Sequence, residues 1–414
     1  MVSETVRPFA DRQSPHSETG LLVAASAAHL VSHFYILVLP VLLPLLKSTL
    51  DVEFFDIALA LTTFNVVTGL TQAPMGFVVD RVGPRPVLMA GLCLGGLAFA
   101  LFGAFTTYPM LIAVAVLTGL ANCVYHPADY ALLADAIPEH RIGRAFSVHT
   151  FAGFAGGAIA PPLLLGVVSY AGLAAALFVA GLIGPAVAGL LLLRGTTTGA
   201  DTAKPRSHQD GRLGGLASVL NPSIIALTGF FTLLALSGGG IQTYSVVALL
   251  GTQDVTLASA NVALTAYLTC AAIGVLAGGS LADRTPYHGY VAAIGFGLTT
   301  AIIAGVALLS LSASAIIACF ALAGILSGLI MPSRDMLVRK AAPPGMVGRA
   351  FGVVSTGFNI GGIIGPLLFA WIMDHASPRW VFGASAVIMA VTAAFGIASE
   401  YRARRRLAAQ VGAG

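Results

Sequence analysis

Charge is what this sequence has least of. Only 9% of its 414 residues are Asp, Glu, Lys or Arg, against about 25% in an ordinary soluble domain. Hydrophobic residues make up 57%, and the mean hydropathy is +0.90. So few polar groups cannot cover that much apolar surface in water, which excludes a soluble globular protein. Cysteine is also scarce: Cys93, Cys123, Cys270 and Cys319 each fall inside an apolar run without CxxC spacing. That excludes a disulfide framework and a zinc-ribbon site. No nucleophile with its base can be assembled, and no Walker-type Lys follows the glycine-rich stretches 153–157 and 357–365. Neither an enzyme nor a nucleotide-binding protein is expected, and no cofactor. The formal charge of +4 arises from basic residues scattered through short loops, so nucleic acid is not expected as a partner. The first twenty residues are polar, with Arg7, Asp11, Arg12 and Glu18, and the apolar run after them is too long for a signal-peptide h-region.

Long apolar runs are what the chain has in abundance. A helix crosses the hydrocarbon core with about 20 apolar residues. Cutting at charges, prolines and glycine clusters leaves twelve such runs, at 20–46, 56–79, 86–106, 108–133, 144–168, 171–193, 218–248, 257–281, 289–310, 313–338, 348–373 and 379–399. The pattern predicts an all-α membrane protein: a tail over 1–19, a six-helix bundle over 20–193, a polar linker over 194–217, a second bundle over 218–399 and a basic tail over 400–414. Arg81, Arg85, Arg141, Arg144, Arg284, Arg339, Lys340, Arg349 and the basic tail fall on one side of this topology, Lys47 and Arg379 on the other. Positive charge resists translocation. Both termini are therefore expected in the cytoplasm, in a plasma (inner) membrane, with the lipid bilayer as surroundings and a monomer as the unit.

The two halves repeat each other. Gly143-Arg144-Ala145-Phe146 recurs as Gly348-Arg349-Ala350-Phe351, and the same offset carries Gly156, Gly157, Pro161 and Pro127 onto Gly361, Gly362, Pro366 and Pro332. Gly76-x-x-x-Asp80-Arg81 recurs as Gly279-x-x-x-Asp283-Arg284 after the second helix of each half. Internal duplication of this kind is a transporter signature. The stretch Gly76-Phe-Val-Val-Asp80-Arg81-Val-Gly83-Pro-Arg85 resembles the major facilitator motif between helices 2 and 3. The resemblance implies two pseudo-symmetric six-helix bundles and alternating access, with Gly76, Asp80, Arg81, Gly83, Arg85, Asp283 and Arg284 as a cytoplasmic gating motif. Small Gly76 suits close helix approach and Gly83 suits a bend; ordinary turn chemistry is the plainer reading of the same residues.

Asp, Lys or Arg at a helix centre costs roughly 2.5–3.5 kcal/mol in a membrane, so intramembrane polar residues are site candidates by default. The first helix carries His29 and His33 on one face. The fourth carries Asn122, Tyr125, His126 and Asp129, with Asn122, His126 and Asp129 in one stripe. The repeat places Arg334 of the tenth helix at the position of Asp129. The two are expected to pair across the cavity and close its cytoplasmic side, with Asp129 able to carry a proton; a local pair of Arg334 with Asp335, or plain interface placement, is the alternative. Gln242, Tyr244 and Asn359 are further cavity candidates, and in the family resembled the helices of Gln242 and Tyr244 line the cavity. Four membrane imidazoles, His29, His33, His126 and His149, suit a proton relay. No carboxylate or thiolate accompanies the pair on the first helix, so no metal site is assigned.

Ala28-His29-Leu-Val-Ser-His33-Phe, Pro40-x-x-x-Pro44 and Tyr125-His126-Pro127 resemble the fosmidomycin-resistance group of efflux carriers. That group has acidic residues near the position of His33 and directly after the His-Pro pair, where this chain has Ala128 and then Asp129. The expectation is a secondary transporter that exports a small organic compound or drug in exchange for protons. The alternatives are a proton-coupled importer of a small organic anion held by Arg334, and a non-transporting receptor or scaffold.

Overall fold

The computed structural model describes residues 15–137, 139–193, 220–343 and 346–411. The expected polar linker lies wholly outside these residues, as do the first fourteen residues of the chain. Every long element is helical. Helix α1 is Pro15–Leu50, α2 Phe54–Val82 and α3 Pro84–Ala104. Helix α4 runs in two pieces, Tyr108–Asn122 and Tyr125–Ala136. Glu139–Leu193 is continuous in hydrogen bonding but broken at Gly172 (φ 82°, ψ 178°), which divides it into α5 (139–171) and α6 (173–193). Helix α7 comprises Pro222–Gly239, a π segment Gly240–Tyr244 and Ser245–Thr252. Then follow α8 Leu257–Arg284, α9 His288–Leu308, α10 Ala313–Ala341, α11 Val347–His375 and α12 Trp380–Val411. Among the described residues, eleven helices are long and apolar enough to cross a membrane. With the longest one split at Gly172 there are twelve spans, which is the expected number.

Local chemistry explains the ends and breaks. Asn221 accepts hydrogen bonds from the amides of Ser223 and Ile224 to cap α7, and Ser312 caps α10 through the Ala315 amide. The interruption in α4 at Cys123–Val124 lies one turn before Pro127, which has no N–H to offer the Cys123 carbonyl. Helix α12 runs past the expected membrane exit at 399 to Val411, because the residues beyond it are mostly Ala, Arg and Leu, strong helix formers.

In the first half α1 packs on α5, α2 on α4 and α3 on α6; in the second α7 packs on α11, α8 on α10 and α9 on α12. The pairs are related by the repeat. Third and sixth helices are also tied in equivalent places: Arg85 donates to the Leu191 carbonyl between α3 and α6, and the Gly289 amide donates to Glu400 at 2.9 Å between α9 and α12. The two halves meet along α2–α11 and α5–α8. On the face that carries the α1–α2 turn, Asp374 of α11 accepts hydrogen bonds from the amides of Phe54 (3.2 Å) and Phe55 (2.9 Å) at the start of α2. Further along, Thr62 donates to the Ile363 carbonyl at 3.1 Å, and Gly69 lies against Asn359. Beyond that point the helices part. A Cβ added at Gly76 or at Gly352 would meet nothing within 4 Å. The halves are thus closed toward the α1–α2 turn and open toward the α2–α3 turn.

Candidate functional site

Asp129 is wholly buried (0% exposed), and neither carboxylate oxygen has a hydrogen-bond partner. Three helices build its surroundings. His29 comes from α1, with Nδ1 3.9 Å from Asp129 Oδ2. His149 comes from α5, with Nε2 3.8 Å from the same oxygen. The two imidazole nitrogens face each other in hydrogen-bond contact. His33 stacks on His29 with ring centroids 4.7 Å apart, and His126 meets His29 edge-on at 5.6 Å. Such density of rings requires close helices. Gly153 of α5 supplies the room: a Cβ there would stand 3.0 Å from the His33 ring and closer still to His29.

Within this group exposure is graded. His29 and His149 are buried, His33 and His126 half-buried, and Tyr130 is exposed and stacks on His126 with centroids 5.7 Å apart. Exposure thus rises from Asp129 past the imidazoles to Tyr130. An uncompensated carboxylate in a low-dielectric interior is too costly to persist. The group must hold a proton or a cation to be electrically neutral.

The expected stripe on the fourth helix survives the break in α4, since all three residues face α1. Asn122 accepts from Ser32 at 3.3 Å, and His126 and Asp129 approach His29. The expected pair of Asp129 with Arg334 is not formed in this conformation. Arg334 instead donates through Nε and Nη2 to Asp335 at 2.9 and 2.8 Å, and its guanidinium lies over Phe231 of α7 (4.9 Å) and Phe358 of α11 (5.3 Å). Pseudo-symmetry nonetheless holds. Asp129 sits between α1 and α5, and Arg334 between α7 and α11, the equivalent pair of the second half.

The other candidates scatter. Gln242 lies half-buried in the π segment of α7. Tyr244 is wholly buried and donates to the Pro366 carbonyl at 2.9 Å, which makes it a helix-packing group. Tyr125 is buried beside Asp129 with its hydroxyl unpartnered, and Asn359 stands at the α2–α11 contact. In the turn motif Gly83 adopts φ +95°, as a bend between α2 and α3 requires. Arg85 caps the end of α6, whereas Arg81, Asp283 and Arg284 are exposed. Lys340 of α10 donates to the Pro286 carbonyl in the corresponding turn at 2.6 Å.

Two residues gained importance only through the structure. His149 was one of the four membrane imidazoles suited to a proton relay, but its contact with Asp129 was not foreseen. Its register with Gly153 and Gly156, at i+4 and i+7 on one helix face, is the signal that aims it at α1. Asp374 gave no signal at all, because its partners are two backbone amides more than three hundred residues away.

The family model of the Major Facilitator Superfamily matches residues 25–255 and again 230–412. The fosmidomycin resistance protein of Escherichia coli is 24% identical over 377 residues, 88% of each chain. The bacillibactin exporter of Bacillus subtilis is 27% identical over 28% of this chain and 30% of its own. Among solved structures, a bacterial homologue of the human lysosomal transporter Spinster, in its inward-facing and occupied conformation, superposes with a TM-score of 0.76 at 16% identity, covering 92% of this chain and 97% of that one. A nucleoside transporter superposes with a TM-score of 0.74 at 14% identity over 92% and 99%.

Proposed function

The chain belongs to the Major Facilitator Superfamily, and from that premise we propose that it exports a small organic compound in exchange for protons by alternating access. It is a transporter in a membrane and not an enzyme. The observation that carries the reading is Asp129, wholly buried, without a hydrogen bond, and flanked by imidazoles at 3.8 and 3.9 Å. Likeness to the fosmidomycin resistance protein over most of both chains supports the outward direction.

The proposal sets the face of the α2–α3 turn in the cytoplasm, with both termini, in the inner or plasma membrane. The conformation described above is then open inward. In it the group around Asp129 stays neutral by holding a proton on the carboxylate, or on an imidazole paired with it. Release of that proton through His126 and Tyr130 leaves a negative group that must find a new partner. When the halves rock together on the cytoplasmic side, Arg334 is the cation at the matching position of the other half. Pairing with it would complete inward closure, and reprotonation from outside would undo the pair. Export follows if the compound binds inside as the proton leaves.

The experiment is transport into vesicles of purified protein, with fosmidomycin and a panel of small organic acids as probes. Under an inside-acid gradient, uptake is expected, and Asp129→Asn should reduce it to the passive leak while exchange at equal pH persists. The second reading is import of an organic anion held by Arg334 between Phe231 and Phe358. Partial likeness to a probable L-galactonate transporter of Escherichia coli suits it. Uptake driven by an outside-acid gradient, and lost in Arg334→Gln, would replace the first reading with this one.

A further inference from the structure

The buried group on α1, α4 and α5 has a second property, independent of the direction or coupling of transport. His29, Asp129 and His149 each offer one ligand atom, and these atoms lie within 4.8 Å of one another. All three residues are buried. Asp129 Oδ1 and Oδ2, His149 Nδ1 and His126 Nδ1 have no hydrogen-bond partner. Of the three converging atoms Asp129 Oδ2 alone is without a hydrogen bond, the two imidazole nitrogens being in contact with each other, and an unsatisfied buried carboxylate is costly. Two imidazoles and one carboxylate are also the ligand set of open divalent zinc-type sites, with a fourth position for water or another ligand. Donor atoms about 2.0–2.2 Å from such an ion lie closer together than 3.8 Å. An ion would replace the hydrogen-bond contact between His29 and His149, which requires the two rings to separate and Asp129 to rotate toward them.

We propose that His29 Nδ1, Asp129 Oδ2 and His149 Nε2 form a binding site for a divalent transition-metal ion of borderline softness, of the Zn²⁺, Co²⁺ and Ni²⁺ class, with His126 as the nearest additional ligand. The imidazoles select against Mg²⁺ and Ca²⁺, which prefer oxygen. A divalent ion on one carboxylate and neutral imidazoles leaves one positive charge, which an anionic fourth ligand such as hydroxide would balance. His126 and His33, half-buried beside the group, lie between it and exposed Tyr130. Of the nine His in the chain, this group alone, among the described residues, meets a carboxylate in a set of three.

The test uses the full chain in detergent micelles after chelator treatment, titrated with Co²⁺ and followed by visible absorption. The expected result is a saturable 1:1 signal with the intense bands of low-coordinate, nitrogen-ligated Co²⁺, displaced by Zn²⁺ and unaffected by excess Mg²⁺. Asp129→Asn, nearly isosteric, and His149→Gln should each weaken Co²⁺ binding by more than the about 10–100-fold typical of losing an outer-shell partner. His375→Gln, on an exposed residue distant from the group, should bind as the parent does. Weak octahedral bands in the unaltered protein, no saturation, or affinity unchanged in both cluster variants would overturn the proposal. The spectrum of the unaltered protein decides the matter even if a variant fails to fold. Proton-driven transport measured in the presence of chelator separates this inference from the preceding one, because metal binding can fail while transport persists.

Discussion

At the scale of single residues, the membrane sets the terms. A carboxylate without partners is tolerable at a wet surface and costly inside the bundle, so Asp129 and Glu53 tell opposite stories. Glu53 lies in the short link before α2, where it receives a hydrogen bond from Lys47, and its own amide donates to Asp56 at 3.0 Å. The hydrogen bond from Lys47, and then its charge, hold the Glu53 carboxyl below the usual carboxylate value. A group with a lowered folded value contributes stability above its ordinary titration point and loses it as pH falls through the folded value. The pair is exposed, so the effect is small. Melting curves of Lys47→Met against the parent should converge at acid pH and separate slightly toward neutrality; a difference largest at acid pH would contradict this account. Asp129 was visible in the sequence as an expensive residue, and its partner was not. Pseudo-symmetry pointed at Arg334, yet local geometry gave Arg334 to its own neighbour Asp335. Adjacent residues pair without waiting for two domains to approach.

At the scale of elements, the repeat governs how helices touch. Gly156 and Gly361, one repeat apart, occupy equivalent crossings, α5 on α1 and α11 on α7. A Cβ at Gly156 would lie 2.8 Å from the Leu30 carbonyl carbon, and one at Gly361 would lie 2.7 Å from the Thr232 oxygen. Backbones at that distance exclude any side chain, which is how small residues hold membrane helices together without a hydrophobic driving force. Gly156→Val and Gly361→Val should each destabilise by about 1–3 kcal/mol through overpacking. Gly166→Val on α5, where a Cβ meets nothing within 4 Å, should leave the melting temperature close to that of the parent. Equal losses at all three sites would show that helix propensity, not the crossing, is responsible. The glycine periodicity was legible in the sequence, as were the proline breaks. The π segment at Gly240–Tyr244 was not, since it arises where Gly240 lets Phe369 and Ser385 approach within the space of a Cβ.

At the scale of the whole molecule, what matters is which end of the bundle is closed. Asp374 at the end of α11 caps the first two amides of α2 across the halves. Its charge suits the positive end of that helix. This contact ties the two halves together at the α1–α2 face and so favours the conformation closed there. Asp374→Ala should therefore shift the population toward closure of the α2–α3 face. Spin labels at Val78 and Gly352, both exposed on that face, should show a growing population of short distances. An unchanged distance distribution with a lower melting temperature would reduce Asp374 to a stability role. The sequence alone determined the twelve spans, the duplication and the membrane setting, because hydrophobic run length, loop charge and a fixed offset are one-dimensional properties that survive any packing. Tertiary structure decided which polar groups meet. His29, Asp129 and His149 come from three helices and are up to 120 residues apart, and only the register between close-packed helices sets which side chains share a buried space.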